Sequence, residues 1–388
     1  MRIAMIAVDR VGQVSALARE LGKQGHQVTV HTRREQPGKR RTTLAAGVTV
    51  DPVPAGPERP LHGGDLLPHL AEFGNALAER WTRNSPDVAH AHDWPSGLAA
   101  LTASHRLAGP DPRPASAAIA DLLDGRRLPL LQTYGTLAAH HPDVDPAAQA
   151  RVERALGRAA IASTVSCGEG REDLVRLGVP RRSIAVVPTG VDVAEFSEIG
   201  PIAPRGARAR LLLLTGPGEK AHLAVRALAR VPGAELVVAG GPAPADLETD
   251  PAAHALRMLA EHEGVEDRVI ILGRVTRKQT PKLIRSADLV LALQDHDPFG
   301  TVALEAMACG IPVIAHDSGG HSDTVLDNVT GLLIPTLPPV ALARRIRDLL
   351  ADPVRREALG IAAADRARSR HSWDRIARET AAVYAKLA

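Results

Sequence analysis

The strongest constraint on the fold is a repeated alternation of short, continuous Val/Ile/Leu runs with stretches of helical periodicity. In the first half the runs occupy residues 3–8, 27–31, 48–53, 87–92, 128–133 and 161–166. A helical pattern over 14–24 puts Leu17 and Leu21 on one face and stops at Gly25. The alternation restarts with aliphatic runs at 210–215, 235–239, 269–272, 289–293 and 313–315. Helical patterns at 221–231, 250–263, 281–286, 302–309 and 340–351 lie among them. A run that is apolar on both sides suits a strand covered on both faces, as in a parallel sheet flanked by helices. The pattern therefore predicts an α/β chain with two Rossmann-like, doubly wound domains. Residues 198–209 carry Gly200, Pro201, Pro204 and Gly206 and read as a linker. The predicted domains are residues 1–197 and 198–371, followed by a helical segment at 372–388.

Composition removes several function classes. Only 2% of the residues are aromatic, so the core is aliphatic and no stacking platform for single-stranded nucleic acid is present. A formal net charge of +3, spread over both halves, gives no basic face of nucleic-acid type. Cys167 and Cys309 have no CxxC partner, which argues against a disulfide scaffold and a structural zinc. The apolar start ends at Asp9 and Arg10, too early for a signal peptide. No run approaches the roughly 18 apolar residues of a membrane span. The expected setting is the cytoplasm, with no transmembrane segment and no nucleic-acid partner. The cluster Arg33, Arg34, Lys39, Arg40 and Arg41 reads either as a solvated loop or as a contact for an anionic acceptor or a membrane surface. Peripheral membrane contact thus stays open, as does the oligomeric state.

The most specific stretch runs from Asp297 through Pro298, Phe299, Gly300 and Thr301 to Glu305, Cys309, Gly310 and Pro312. It reads as a strand end, a turn and a helix start. Amides of a first helical turn suit a phosphate or a sugar oxygen, and Gly300 allows close approach of a ligand to the backbone. Asp297 in the turn and Glu305 within the helix can hold two hydroxyl-bearing parts of one ligand. Lys220 follows a strand and the glycine turn Thr215-Gly216-Pro217-Gly218-Glu219, where a cation stabilises charge on a departing diphosphate. Asp295-His296-Asp297 has the form of a D-x-D metal motif, but Asp297 already has a role, and no metal is predicted. Gly12 follows the first strand without a G-x-G-x-x-G run, so no dinucleotide site is expected.

The 297–313 stretch resembles the signature E-P-F-G-x-x-x-L-E-A-M-A-C-G-x-P-V of family 4 retaining glycosyltransferases of the GT-B fold. Other stretches are similar to this family as well: Ser318 to Asp323, Thr330 to Ile334, Arg274-Val275, Pro188 to Asp192 with Phe196, and His90-Ala91-His92 with Trp94. The nearest likeness is to actinobacterial enzymes that glycosylate inositol phosphates and to sucrose-phosphate-synthase-like relatives. The resemblance implies two domains facing a cleft, with the C-terminal helix crossing back to the first. It implies a nucleoside-diphosphate sugar as substrate, UDP favoured over GDP, an acceptor of unspecified structure, and no cofactor or metal. Glu305 then binds the nucleotide ribose, Asp297 the transferred sugar, and Lys220 the diphosphate. Phe299, Gly300 and Thr301 supply backbone amides, while Gly218, Arg274 and Val275 complete the donor side. Gly12, His92 and Gly135 belong to the acceptor or diphosphate loops. In this family the leaving phosphate is thought to take the acceptor proton on the same face.

The sequence departs from the family pattern in four places. The loop 216–219 lacks the usual arginine, Asp297 replaces a glutamate, and the first glycine loop is reduced to Val11-Gly12-Gln13. Gly135 replaces a histidine; His140 and His141, five or six residues further on, read first as exposed loop histidines and second as its substitute. These departures keep a second reading open, a non-catalytic GT-B protein that binds a sugar nucleotide or a partner. A sugar-nucleotide epimerase on the same fold is a third. The few aromatics, Phe196, Phe299, Trp94, Tyr134 and Trp373 among them, are expected at turns around the cleft and on the closing helix.

Overall fold

The computed structural model describes residues 1–8, 12–61, 63–107, 128–137, 145–335 and 338–387. His140 and His141, Val11, and the Asp9 and Arg10 that end the first strand's run lie outside the described residues. The chain divides into two compact units, Met1–Gly190 with Trp373–Ala388, and Val191–Ser372.

The first unit holds eight strands: β1 Arg2–Ile6, β2 Gln27–Arg33, β3 Thr42–Ala45, β4 Val48–Val53, β5 Val88–His92, β6 Leu130–Tyr134, β7 Ala162–Val165 and β8 Ile184–Val186. They are ordered β3-β4-β2-β1-β5-β6-β7-β8, all parallel except β3, which pairs antiparallel with β4. Helix Gly12–Lys23 buries Val14, Leu17, Ala18 and Leu21, the i, i+3, i+4, i+7 stripe. That stripe joins Ile3, Met5, Val28 and Val30 with Ile376, Ala377 and Tyr384 of the last helix, Trp373–Tyr384. The final helix thus completes the core of the first unit. Helix Pro146–Ala159 starts at Asp145, whose carboxylate accepts the Ala147 amide, with proline at the first position.

The second unit is a six-stranded parallel sheet: β9 Ala209–Leu213, β10 Ala234–Ala239, β11 Val269–Gly273, β12 Leu289–Ala292, β13 Val313–His316 and β14 Gly331–Ile334. Its order, β11-β10-β9-β12-β13-β14, is the dinucleotide-fold order. Helices cover both faces, so β10 and β12 are buried at every residue.

Four sequence expectations change. Residues 198–209 do not join the units but belong to the second. Arg285 donates to the Ser197 and Pro201 carbonyls, Lys282 accepts the Ala203 amide, and Arg205 pairs with Asp288 at 2.6 Å. The junction falls at Gly190/Val191 instead of 197/198, because Val191 and Phe196 are buried in the second unit's core. Arg33 is no solvated loop residue. It ends β2, is 3% exposed, and donates to the Pro57 carbonyl at 2.6 Å. Six of the eight aromatics (Phe73, Trp81, Trp94, Tyr134, Phe196, Tyr384) are core residues; Phe299 lies in a turn outside the core, and the half-buried Trp373 opens the closing helix.

Candidate active site

In the second unit the chain leaves β9 toward β10 on one side, and β12 continues on the other. The loops after these two strands diverge at the topological switch point, where open α/β sheets bind ligands. Lys220 sits in the first turn of helix Glu219–Leu228, after the β9 loop. Its Nζ lies 2.7 Å from Asp295 Oδ1 in the β12 loop, so the pair bridges the switch point. His316 Nδ1 approaches the same carboxylate at 3.7 Å. Gly216 lets the loops after β9 and β10 pack closely: its φ is +78°, and a Cβ there would meet the Gly241 amide nitrogen at 2.9 Å. Gly218 is the residue before the helix.

Asp297 organises the turn that follows β12. Its Oδ1 accepts the amides of Phe299 at 3.0 Å and Gly300 at 2.8 Å, and its carbonyl accepts the Gly320 amide at 2.7 Å. Two of the three amides expected to be open to a ligand are therefore donated to Asp297. The side chain is short enough to cap its own turn in this way. Asp297 Oδ2 faces the fully buried His321, whose Nε2 is 3.7 Å away. Burial lowers the His321 pKa and the Asp297 charge opposes this. Helix Thr301–Ala308 starts immediately after Gly300.

Glu305 lies within that helix and is 7% exposed. Burial raises its carboxyl pKa, and Arg277 works in the opposite direction by pairing its Nη1 with Oε1. Arg277 also reaches Glu195 at 2.9 Å and stacks 4.3 Å over the Phe196 ring. Arg277, Glu195 and His321 were not singled out from the sequence as site residues. The Arg277 segment Thr-Arg-Lys-Gln reads as a solvated helix approach, and only its spacing of three from Arg274 hints at a role. Arg274 itself is exposed and bonds its amide to the Pro242 carbonyl, while Val275 packs on the core beside it.

The first unit places His92 at the end of β5, Gly135 just after β6, and Gly12 at the start of the helix after β1. All three stand at carboxyl ends of strands. Asp93 adopts φ +66° and accepts the Gly135 amide at 3.0 Å, fixing the β5 and β6 ends together. His92 stacks on His90 with ring centres 4.1 Å apart. Burial lowers the His92 pKa to about 4, and among the described residues its Nε2 has no hydrogen-bond partner. His90 joins Tyr384 and Thr133, each at 2.6 Å, and Thr133 continues to Thr164 at 2.5 Å. Apart from the Asp93 carboxylate, this edge is polar, buried and without formal charge.

The model of the family "glycosyl transferases group 1" matches residues 217–366, and that of the "glycosyl transferase 4-like domain" matches 12–190. The D-inositol 3-phosphate glycosyltransferase of Xylanimonas cellulosilytica is 33% identical over 96% of this chain and 90% of its own. The chain is a group 1 glycosyltransferase. The same enzyme of Kineococcus radiotolerans is 32% identical over 96% of this chain and 88% of its own. Sucrose-phosphate synthase of Thermosynechococcus elongatus superposes with a TM-score of 0.81 at 24% identity, over 100% of this chain and 99% of that one. Anabaena HepE in complex with UDP-glucose gives 0.72 at 17% identity, each chain covered in full. These likenesses identify the fold as GT-B. Both halves of this glycosyltransferase match a family model, and the group 1 match contains Lys220, Arg277, Asp297 and Glu305. Among the described residues no helix is long and apolar enough to cross a membrane, and no three metal-ligating side chains converge.

Proposed function

We propose that this glycosyltransferase moves a sugar from a UDP-sugar to a hydroxyl of a phosphorylated polyol, with retention at the anomeric carbon and without a metal. The observation that carries the reading is the Lys220–Asp295 pair across the switch point. A diphosphate entering there exchanges with Asp295 as the partner of Lys220. Glu305, held ionised by Arg277, accepts hydroxyls of the nucleotide ribose. Asp297 keeps the turn in shape through Oδ1 and meets a sugar hydroxyl through Oδ2. In the reaction the bond from the anomeric carbon to the diphosphate breaks and the bond to the acceptor oxygen forms on the same face. The acceptor proton passes to an oxygen of the leaving diphosphate. Lys220 stabilises charge that grows as the diphosphate departs. The UDP and UDP-glucose in the Anabaena HepE complexes favour UDP over GDP. The name of the actinobacterial relatives favours an inositol phosphate as acceptor.

The test offers UDP-glucose, UDP-N-acetylglucosamine and GDP-mannose with D-inositol 3-phosphate, with and without EDTA, and follows nucleotide release and the product's anomeric coupling. Turnover of a UDP-sugar, unaffected by EDTA and with the donor's anomeric configuration, is expected. Turnover of GDP-mannose alone overturns the nucleotide, an inverted product overturns retention, and inhibition by EDTA overturns metal independence. Absence of nucleotide release from any donor favours the non-catalytic reading.

A further inference from the structure

Strand β2 does not read like a strand covered on both faces. Its sequence, Gln27-Val28-Thr29-Val30-His31, alternates. Val28 and Val30 enter the aliphatic cluster under helix Gly12–Lys23. Gln27, Thr29 and His31 face the other way, where register sets Arg2 and Ala4 of β1 on one side and Thr49 and Asp51 of β4 on the other. A parallel sheet normally covers both faces. Here the second face opens into a cavity of about 520 Å³ at the amino-terminal half of the sheet, walled by the end of helix Leu70–Arg83.

The lining carries four arginines, Arg2, Arg41, Arg80 and Arg83, against one carboxylate, Asp51. Arg2 pairs with Asp87 at 3.0 Å and Arg80 with Asp51 at 2.8 Å. Arg80 and Arg83 also sit in the last helical turn, where cations offset the negative end of the dipole. That accounts for Arg80, which is fully engaged. Arg41 and Arg83 carry no hydrogen bond or ion pair to any described residue. Deeper in the cavity, His31 is 4% exposed, with Nδ1 facing Asp51 at 3.4 Å and Nε2 taking a long 3.4 Å bond from Trp81. Around these charges stand the hydroxyls of Thr29, Thr43 and Thr49.

We infer that this cavity is a second ligand site, for a phosphate-bearing, hydroxyl-rich small molecule. Its volume lies within the roughly 300–1,000 Å³ of small-molecule pockets and is too large for a bare phosphate. Arg41 and Arg83 supply unpaired, exchangeable donors for a phosphate monoester, while the threonines suit hydroxyls. The cavity opens at the end of the strands opposite to His92, Gly135 and Gly12, so it is distinct from the edge assigned to the acceptor. The inference does not depend on the proposed reaction.

The experiment uses the whole chain saturated with UDP, which blocks phosphate binding at Lys220. Glucose 6-phosphate, inorganic phosphate and glucose are titrated by calorimetry into the wild type, Arg41→Ala, and Arg41→Glu/Arg83→Glu. The wild type is expected to bind glucose 6-phosphate at one site, at least fivefold tighter than inorganic phosphate, with glucose silent. The single variant should weaken it about threefold and the double reversal at least tenfold, with UDP affinity and sugar transfer unchanged. Both residues are exposed, and an unchanged UDP affinity reports an intact fold. Absence of saturable binding in the wild type, or equal affinity in the double variant, overturns the site. Loss of transfer in the double variant makes the cavity part of the reaction centre, and a changed mass in solution makes it a protein interface. Either result overturns the proposal.

Discussion

The two sheets share a winding rule but end in different chemistry. At the carboxyl edge of β9 and β12 the second unit collects formal charges, Lys220 with Asp295, Arg277 with Glu195 and Glu305. At the carboxyl edge of β5 and β6 the first unit collects mainly neutral polar groups, His90, His92, Thr133 and Tyr384, beside an Asp93 carboxylate already tied to the Gly135 amide. A charged edge can exchange one anion for another at little cost, because its cation has to be paired in either state. A buried neutral edge cannot take up charge cheaply but holds hydroxyls well. The division suits the proposed reaction, with its anionic leaving group on the charged edge and its acceptor hydroxyl on the mainly neutral one.

The sharpest way to break this comparison is to remove the cation. Lys220→Ala should lower kcat/KM for transfer by about 10²–10³-fold, in line with the loss of one donor to developing charge. A change below about threefold in steady-state kinetics would remove Lys220 from the diphosphate. Next in size, Glu305→Ala should weaken UDP binding about ten- to hundredfold by calorimetry, the range for a buried bond to a charged group. Arg277→Gln tests whether Glu305 needs a neighbouring cation to stay ionised inside the protein. Burial alone then raises its pKa, so UDP affinity should be near wild type at pH 8 and fall about tenfold by pH 6. A loss independent of pH would mean that Arg277 only shapes the pocket.

The smallest effect concerns the neutral edge. An unfolded chain takes up protons at its histidines below their ordinary value of 6.5, whereas the native His92 does so only near 4. The unfolded state therefore binds more protons in that window, and stability falls as pH drops through it. The melting temperature should decline by a few degrees between pH 7 and pH 5, and His92→Asn should flatten part of that slope in a pH series of thermal unfolding. An equal slope in the variant assigns the acid sensitivity to other groups.

Much of this was readable from residues alone where the local signal was unambiguous. Strands β9 to β13 appear within a residue or two as aliphatic runs, and the polar positions inside β9 and β10, Arg210 and Glu235, pair with each other at 2.7 Å. Strand β14, four residues that include Gly331, and β3, a Thr-rich edge strand, carry too little pattern. Helix Asp93–Leu107 is missed because small residues on several of its faces, Gly97, Ala99, Ala100 and Ala103, let it pack without a single apolar stripe. In the candidate site, Glu305 and Lys220 stand out in the sequence because they lie in or beside a motif. Arg277 was not, because its importance comes from contacts made over sequence separations of 28 and 82 residues. The use of the Phe299 and Gly300 amides by Asp297 was missed for the opposite reason. It is a local turn, but one whose occurrence depends on the backbone that Gly319 and Gly320 allow to approach from behind.

The last helix, Trp373–Tyr384, has a consequence for biosynthesis. Tyr384 supplies the His90 partner, and Ile376 and Ala377 close the cluster over helix Gly12–Lys23. A ribosome delivers these residues only after the whole second unit has emerged. Domains generally fold as they are made, from the amino terminus onward. Here the first unit keeps an apolar stripe uncovered until the second unit has been translated. The order in which this chain is written is therefore not the order in which it can be finished.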